Sequence, residues 1–314
     1  MLGPAIRLAS RRGDNARLSI LIFHRVLSEP DPLFPGEICA ESFEQIVKWL
    51  SAWFKILPLS QGIERLAAGT LPRGSAAITF DDGYADNLLH AQPILERHHA
   101  CATLFVAAGF LDGGIMWNDR IIEAVRRSGQ ESLSLPELGV GALSLEDIAA
   151  RRVSIDTLIG RLKYLEPEAR DDAVGLIVER SHVELPSNLM LTSEQLRDLH
   201  DRGMDIGAHT VNHPILARTS PNVAKREIGE GRDRLEGLIG ERVSLFAYPN
   251  GRPGTDYLPE HVALVESFGF DAAVSTSWGV SSQSSPRFEL PRFTPWDRTR
   301  TRFGARLFAN FFRT

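Results

Sequence analysis

Two aspartates side by side, Asp81 and Asp82, end the run Ser75-Ala-Ala-Ile-Thr-Phe80 and are followed by Gly83 and Tyr84. The run is small, apolar and β-branched, which reads as a strand buried on both faces. Adjacent carboxylates at the end of such a strand repel each other, so the fold needs a compensating cation or a shared proton to keep them there. Asp-Asp-Gly is also good turn chemistry, and the pair alone does not decide between the two. A second pattern bears on the choice. His209-Thr-Val-Asn-His213 spaces two imidazoles by four. On a helix or tight turn they share a face and can bind one ion, whereas an extended strand would hold them ~13 Å apart. Pro214 disfavours a helical His213, which predicts a single turn ending there. The chain has nine histidines, so two independent surface imidazoles are the bland alternative. Their position after a buried strand, together with the aspartate pair, favours the shared ion.

Positioning such groups requires strands that stop where the polar residues begin. Leu18–Phe23 reads as a buried strand ending on His24 and Arg25, and further strands fall at about 102–108, 204–208, 243–247, 270–275 and 289–293. Helical spacing follows most of them. Phe43, Ile46, Val47, Leu50 and Phe54 line one side of 42–53, with Ser42 as N-cap; further helices are expected at 63–68, 86–99 (interrupted by Pro93), 193–202 (N-cap Ser193), 221–239, 259–267 and 303–312. Trp49, Trp53 and Phe54 read as helix packing. Alternating strands and helices predict a parallel sheet, and polar endings at the carboxyl ends of several strands are what a (β/α) barrel gathers at one mouth. From about 115 to 190 the pattern is helical and polar (119–127, 144–152, 154–164, 167–180), too long for one crossover, and reads as a helical insertion. Residues 1–17 read as a loose arm or short helix.

Composition narrows the class. At 314 residues, 43% hydrophobic and 24% charged, the chain is ordinary for a globular protein. A net charge of -5 argues against a nucleic-acid partner, and no apolar run reaches the ~20 residues of a membrane span. Two cysteines give no sign of an oxidising compartment, and no signal-peptide core is evident, so a cytoplasmic location is the expectation. Oligomeric state is not readable.

At this point the residues resemble a known family. Thr79-Phe-Asp-Asp-Gly-Tyr84 and His209-Thr-Val-Asn-His213 are similar to the first two motifs of the polysaccharide deacetylases, carbohydrate esterase family 4, and the resemblance spans about 18–293. It implies an α/β fold, a distorted (β/α) barrel over 1–314 as one domain with the insertion at 115–190. It implies Asp81 as general base, with Asp82, His209 and His213 as ligands of a divalent metal, most often zinc. The substrate implied is an N-acetylhexosamine-containing glycan or glycan precursor. The types suit that chemistry: two neutral imidazoles and one carboxylate leave an ion positively charged, with open positions.

Two features depart from the family's pattern. The third motif, usually Arg-x-Pro-Tyr-Gly, stands as Ala247-Tyr-Pro-Asn-Gly251. Pro249 has no N–H, so Asn250 becomes the oxyanion donor. The missing arginine is expected from Arg292, although a plain surface arginine is nearly as good a reading. The C-terminal Leu-x-His of the general acid is absent, but Leu21-Ile-Phe-His24 resembles it moved to the front, as in a permuted subgroup acting on poly-N-acetylglucosamine; a strand-end histidine bonded to backbone is the alternative. Tyr84 and Trp278 complete the expected substrate contacts, and Trp117 and Trp296 are further positions able to flank a sugar. Two other functions compete: a catalytically weak glycan-binding barrel and an amidohydrolase of small non-sugar amides. A haloacid-type phosphatase needs Asp-x-Asp, which is not present here.

Overall fold

Six parallel strands in the spatial order β1-β3-β4-β7-β8-β9 form the centre of the molecule: Leu18–Phe23, Ser75–Phe80, Thr103–Val106, Asp205–Ala208, Leu245–Ala247 and Ala272–Val274. A short β2 (Lys55–Ile56) also pairs with β3. This computed structural model describes residues 3, 6, 9, 10 and 13–313. The remaining positions of the expected 1–17 arm lie outside the described residues. Every residue of β1, β3 and β4 is buried, which explains why these strands read as continuous apolar runs without alternation. One face packs on α1 (Ala40–Trp53), α3 (Gln92–Arg97), α7 (Ser193–Asp201), α8 (Pro221–Ile239), α9 (Pro259–Ser267) and α10 (Arg300–Asn310). The other face curls around an interior core of Leu18, Ile20, Ala77, Phe105, Leu245 and Val274, stopped at the bottom by α2 (Leu59–Ala67). Gly207 is required there, because a Cβ would lie 2.4 Å from the Phe105 ring.

Residues 289–293 depart from the expected strand. Leu290 bridges Val274 and Phe293 bridges Leu21, but the residues between make no ladder. Pro291 has no N–H, and the Arg292 amide donates to the Ser277 carbonyl (2.8 Å). These two bridges join the last strand to the first and curl the sheet into the expected distorted (β/α) barrel. Arg292 lies between them and points inward.

The insertion has a core of its own, including Ile121, Val125, Leu133, Leu158, Val174 and Ile177. It consists of α4 (Trp117–Arg127), a hairpin β5–β6 (Ser132–Leu135, Gly141–Ser144), α5 (Ile148–Leu162) and α6 (Pro167–Ser181). The hairpin falls between the helices expected at 119–127 and 144–152, in a stretch read as helical throughout; Ser132-Leu-Ser-Leu135 alternates exposed and buried, a period of two rather than 3.6. Asp147 then caps α5, so the two helices expected at 144–152 and 154–164 are one. Two expected caps move back. Cys39 begins α1, with the Ser42 hydroxyl accepting from its amide, and Thr192 begins α7 in a capping box with Gln195. Pro93 sits in the first turn of α3 after a π-turn over Asn87–Ala91, the device that absorbs its missing donor. Among the described residues no helix is long and apolar enough to cross a membrane, and both cysteines are free thiols.

Candidate active site

The inward face of β3 carries Ala77 and Thr79 and continues to Asp81, which fixes where that carboxylate must point. Asp81 is 3% exposed and Arg292 0%. The guanidinium grips the carboxylate through two parallel bonds of 2.7 Å each, while its Nε donates to the Ser275 carbonyl (2.9 Å) and Nη1 reaches the Thr79 hydroxyl (3.3 Å). Burial raises the Asp81 pKa, but the charge and hydrogen bonds of Arg292 together with the neighbouring imidazoles outweigh it and hold the group below the usual carboxylate range. The closing segment thus brings a guanidinium to Asp81, and Arg292 is a fully buried side chain rather than a surface one.

Beside it, Asp82 takes a left-handed backbone (φ 76°), which turns its carboxylate away from Asp81 toward the histidines. Asp82 Oδ1 lies 3.5 Å from His209 Nε2 and 3.4 Å from His213 Nε2. Ligands ~2.1 Å from a tetrahedral ion stand about 3.4 Å apart, so this donor set fits a divalent cation of zinc's size. His209 Nδ1 donates to the Ala247 carbonyl at the end of β8 (2.7 Å), which leaves the Nε2 lone pair free for an ion. Burial opposes ionisation of Asp82, yet the neighbouring imidazoles hold its pKa far below the usual range. Burial likewise pushes His213 down to about 4, so it stands neutral at pH 7. It also lowers His209, but the bond to Asp82 and the charge of both aspartates bring that imidazole back above its ordinary value.

The turn holding the two imidazoles adopts left-handed backbone at Thr210 (φ 67°) and His213 (φ 52°), a more contorted path than the single turn read from sequence. It persists because its surroundings fix it. Glu227 on α8, buried, accepts from the amides of Val211 (3.0 Å) and Asn212 (2.7 Å) and from the Asn212 side chain (2.8 Å). The Thr210 hydroxyl accepts from the His213 amide (3.0 Å). On α8 a Cβ at Gly231 would lie 2.8 Å from the Thr210 backbone, so only glycine permits that approach. Sequence reasoning missed Glu227 entirely. The available signal was an acidic residue on the inner face of an otherwise amphipathic helix.

The remaining expected residues are placed unevenly. Asn250 has left-handed backbone (φ 59°), lines a cavity of about 200 Å³ with Asp82 and His213, and its N–H makes no hydrogen bond among the described residues. His24 is exposed at the end of β1 and lines a second cavity, about 350 Å³, with Asp82, Tyr84 and Asn118. Tyr84 is buried and its hydroxyl is committed to Asp119 (2.9 Å), with Arg25 4.7 Å from the ring centre. Trp278 sits elsewhere, in a cluster with Phe293 and Trp296 where Arg306 and Arg313 cover its ring. The indole follows β9 in sequence, but α10 captures it. Trp117 lines the 200 Å³ cavity, whereas Trp296 is mostly exposed.

These cavities run together. The first two share Asp82 and Asn118; the second continues through Arg25, Asp31 and Arg126 into one of about 370 Å³; the first continues past Trp117 and Arg170 into one of about 460 Å³. The result is a groove between barrel and insertion with the aspartate–histidine cluster near its middle.

Comparison with known proteins agrees with this architecture. The sequence model of the family described as "Polysaccharide deacetylase" matches residues 68–134 and 173–273, leaving the middle of the insertion unmatched. The protein YxkH of Bacillus subtilis (strain 168), described as a polysaccharide deacetylase, is 21% identical over 279 residues, covering 88% of this chain and 71% of that protein. The Streptococcus pyogenes deacetylase PplD, solved in complex with acetate, superposes with a TM-score of 0.61 at 20% identity, over 89% of this chain and 92% of that one. IcaB from Ammonifex degensii gives 0.58 at 18% identity, over 93% and 98%. At these identities the structural likeness speaks for the fold.

Proposed function

The chain belongs to the polysaccharide deacetylase family, and is thereby a hydrolase of acetyl–amide bonds on a glycan; from that premise we propose that it removes the N-acetyl group of an N-acetylhexosamine within a glycan or glycan precursor. The observation that carries this reading is the meeting of Asp82, His209 and His213, whose donor atoms all lie within 4.8 Å of one another, with Asp81 clamped beside them. In this reading Asp82, His209 and His213 hold a divalent cation, zinc by the nitrogen-rich donor set. When bound, such a cation supplies Lewis acidity and a water of lowered pKa. Asp81 takes the proton of the attacking water, and its two bonds to Arg292 keep it ionised and aimed. The unpartnered Asn250 N–H donates to the oxygen that becomes negative in the tetrahedral state, a contact worth roughly 3–4 kcal/mol in comparable sites. His24, exposed on the other side of Asp82, returns a proton to the departing amine. In this reading His24 does the work that the permuted members of the family give to a histidine near the front of the chain.

The clamp on Asp81 speaks against the weakly catalytic binding barrel, whose attraction was an unoriented base. A groove that extends on both sides of the cluster favours an oligosaccharide over a small amide. The test is acetate release from N-acetylglucosamine oligomers by the purified protein, with and without a chelator. Release that stops on chelation and returns with zinc is the expected result; release indifferent to chelation would sink the metal assignment. Asp81→Asn is expected to retain the ion while turnover falls about 10²–10⁴-fold, the range for loss of a general base.

A further inference from the structure

The insertion's side of the groove carries charge that the protein does not neutralise. Lys163, just after α5, and Arg170, in the first turn of α6, are half-buried and line the 200 Å³ cavity opposite Asp82, His213 and Asn250. Most other cations of the insertion are satisfied. Arg120 pairs with Asp171, Arg126 with Asp31 and Glu123, Arg127 with Glu123, and Arg180 with Glu137. Arg151 and Arg152 donate to backbone carbonyls. Lys163 and Arg170 differ: among the described residues neither makes an ion pair or donates a side-chain hydrogen bond. Asp171, the carboxylate adjacent to Arg170, is occupied by Arg120.

Arg170 lies 4.9 Å from the centre of the Trp117 ring. A contact with a ring face satisfies none of the guanidinium's five N–H donors. A cation in the first turn of a helix is also opposed by the helix dipole. Burial without an acceptor costs free energy, and it accordingly lowers the Arg170 pKa, Asp171 offsetting only part of the effect. Arg170 thus offers its planar fork of donors to the cavity, and Lys163, lining the same space, adds a point charge. Both face the same space as the aspartate–histidine cluster.

We propose that Lys163 and Arg170 form an anion subsite, so that the substrate is a glycan bearing a carboxylate or a phosphate close to the acetylated amine. The inference rests on the deacetylase reading and narrows its substrate class. It places substrate selection on the segment that the family model leaves unmatched, since Lys163 and Arg170 both fall between residues 134 and 173.

The experiment uses the full chain loaded with zinc and three probes. These are a neutral N-acetylglucosamine oligomer, an oligomer alternating N-acetylglucosamine with glucuronic acid, and a phosphodiester-linked N-acetylglucosamine oligomer. Acetate release gives kcat and KM for each, and calorimetry gives binding independently of turnover. Wild type is expected to favour one of the anionic probes about tenfold or more in KM, with the preference fading as salt rises. Lys163→Gln/Arg170→Gln should erase that preference, leaving kcat within twofold and the neutral oligomer unaffected. The probe preferred tells carboxylate from phosphate. If the neutral oligomer is bound and hydrolysed as well as both anionic ones, the subsite is refuted while the deacetylase reading stands. If no probe releases acetate but calorimetry shows an anionic preference lost in the double variant, the subsite stands and the deacetylase reading falls. A double variant that weakens all three probes equally overturns the subsite, because that marks a general disturbance of the groove.

Discussion

The two walls of the groove are built on opposite principles. On the barrel wall the carboxylate base and the imidazoles are held by something buried: Asp81 by Arg292, His209 by the Ala247 carbonyl, and the His209–His213 turn by Glu227 and Gly231. Among the described non-glycine residues, left-handed backbone gathers there, at Asp82, Thr210, His213 and Asn250. The insertion wall has a core of its own and regular elements, and it reaches the groove with two long side chains, Lys163 and Arg170, that no carboxylate pairs among the described residues. The contrast separates two tasks. A reacting centre needs groups fixed to within a fraction of an ångström, and over-determined buried contacts supply that. Selecting among substrates needs only matching charge, which a surface element supplies without strain on the centre.

The largest effect should follow from cutting the barrel wall at its clamp. Arg292→Met leaves the Asp81 carboxylate buried and unpaired, and breaking a buried pair in this way costs about 3–5 kcal/mol. Denaturant unfolding at pH 7 should show that loss, and acetate release should fall at least 100-fold. Arg292→Lys retains the charge without the fork and should recover most of the stability but little of the turnover. If Arg292→Met unfolds at the wild-type denaturant concentration, the barrel wall is not clamped in the sense argued here.

The seam between the walls should respond to pH. Asp119, on α4 of the insertion, bonds the Tyr84 hydroxyl of the barrel, and burial pushes its carboxyl up to about 7 despite the nearby Arg25. A carboxyl raised in the folded state holds its proton after the unfolded chain, at about 4, has released its own. Its contribution is therefore complete below about pH 4 and is lost as pH rises to about 7, by up to roughly 4 kcal/mol. His213, pushed down to about 4, works in the opposite sense over an overlapping range, so the informative quantity is the difference between wild type and variant. Asp119→Asn should remove a stability loss of several degrees in Tm between pH 5 and 8. An unchanged difference across that range would mean that the seam carries no proton.

Third in size is the support of the imidazole turn. Glu227→Gln keeps the shape of the side chain but replaces one acceptor oxygen by a donor facing the Val211 and Asn212 amides. Loss of an outer partner of this kind typically weakens a metal site by about 10–100-fold, and zinc competition against a chromophoric chelator would read it. Zinc affinity unchanged in Glu227→Gln would show that Thr210 and Gly231 suffice to hold the turn.

The same contrast explains what the sequence made legible. Asp81, Asp82, His209 and His213 were readable because strand ends and a fixed spacing put chemistry-bearing types where a barrel mouth must be, and resemblance to a family supplied their expected roles. Arg292 was named as one of two alternatives; its burial depends on the curvature that joins Val274 to Leu290 and Phe293 to Leu21, a long-range fact with no local pattern. Trp278 was misplaced for the same reason, because the guanidiniums that cover it, Arg306 in α10 and Arg313 just after it, are distant in sequence. Glu227 was invisible because an acidic residue in an amphipathic helix is ordinary until its amide partners are known. In the insertion, the β5–β6 hairpin was lost to a helical reading, since four alternating residues carry little weight beside the long helical runs on either side.

The smallest effect belongs on the far side of the insertion, and it is the control that gives the comparison its meaning. Arg180 and Glu137 pair across α6 and the hairpin turn, with side chains 46% and 44% exposed. Exposed pairs contribute about 0–1 kcal/mol, and salt screens them. A double-mutant cycle over Arg180→Ala and Glu137→Ala should therefore give a coupling below about 1 kcal/mol, with acetate release and zinc affinity unchanged. If the insertion were part of the rigid scaffold behind the reacting centre, loosening it at this pair would propagate through α6 to Arg170 and into kcat. A KM change confined to charged substrates would show that α6 transmits only to the subsite, which keeps the division of labour between the walls. A fall in kcat on the neutral oligomer would end it, because the insertion would then be positioning the catalytic groups as well as choosing what reaches them.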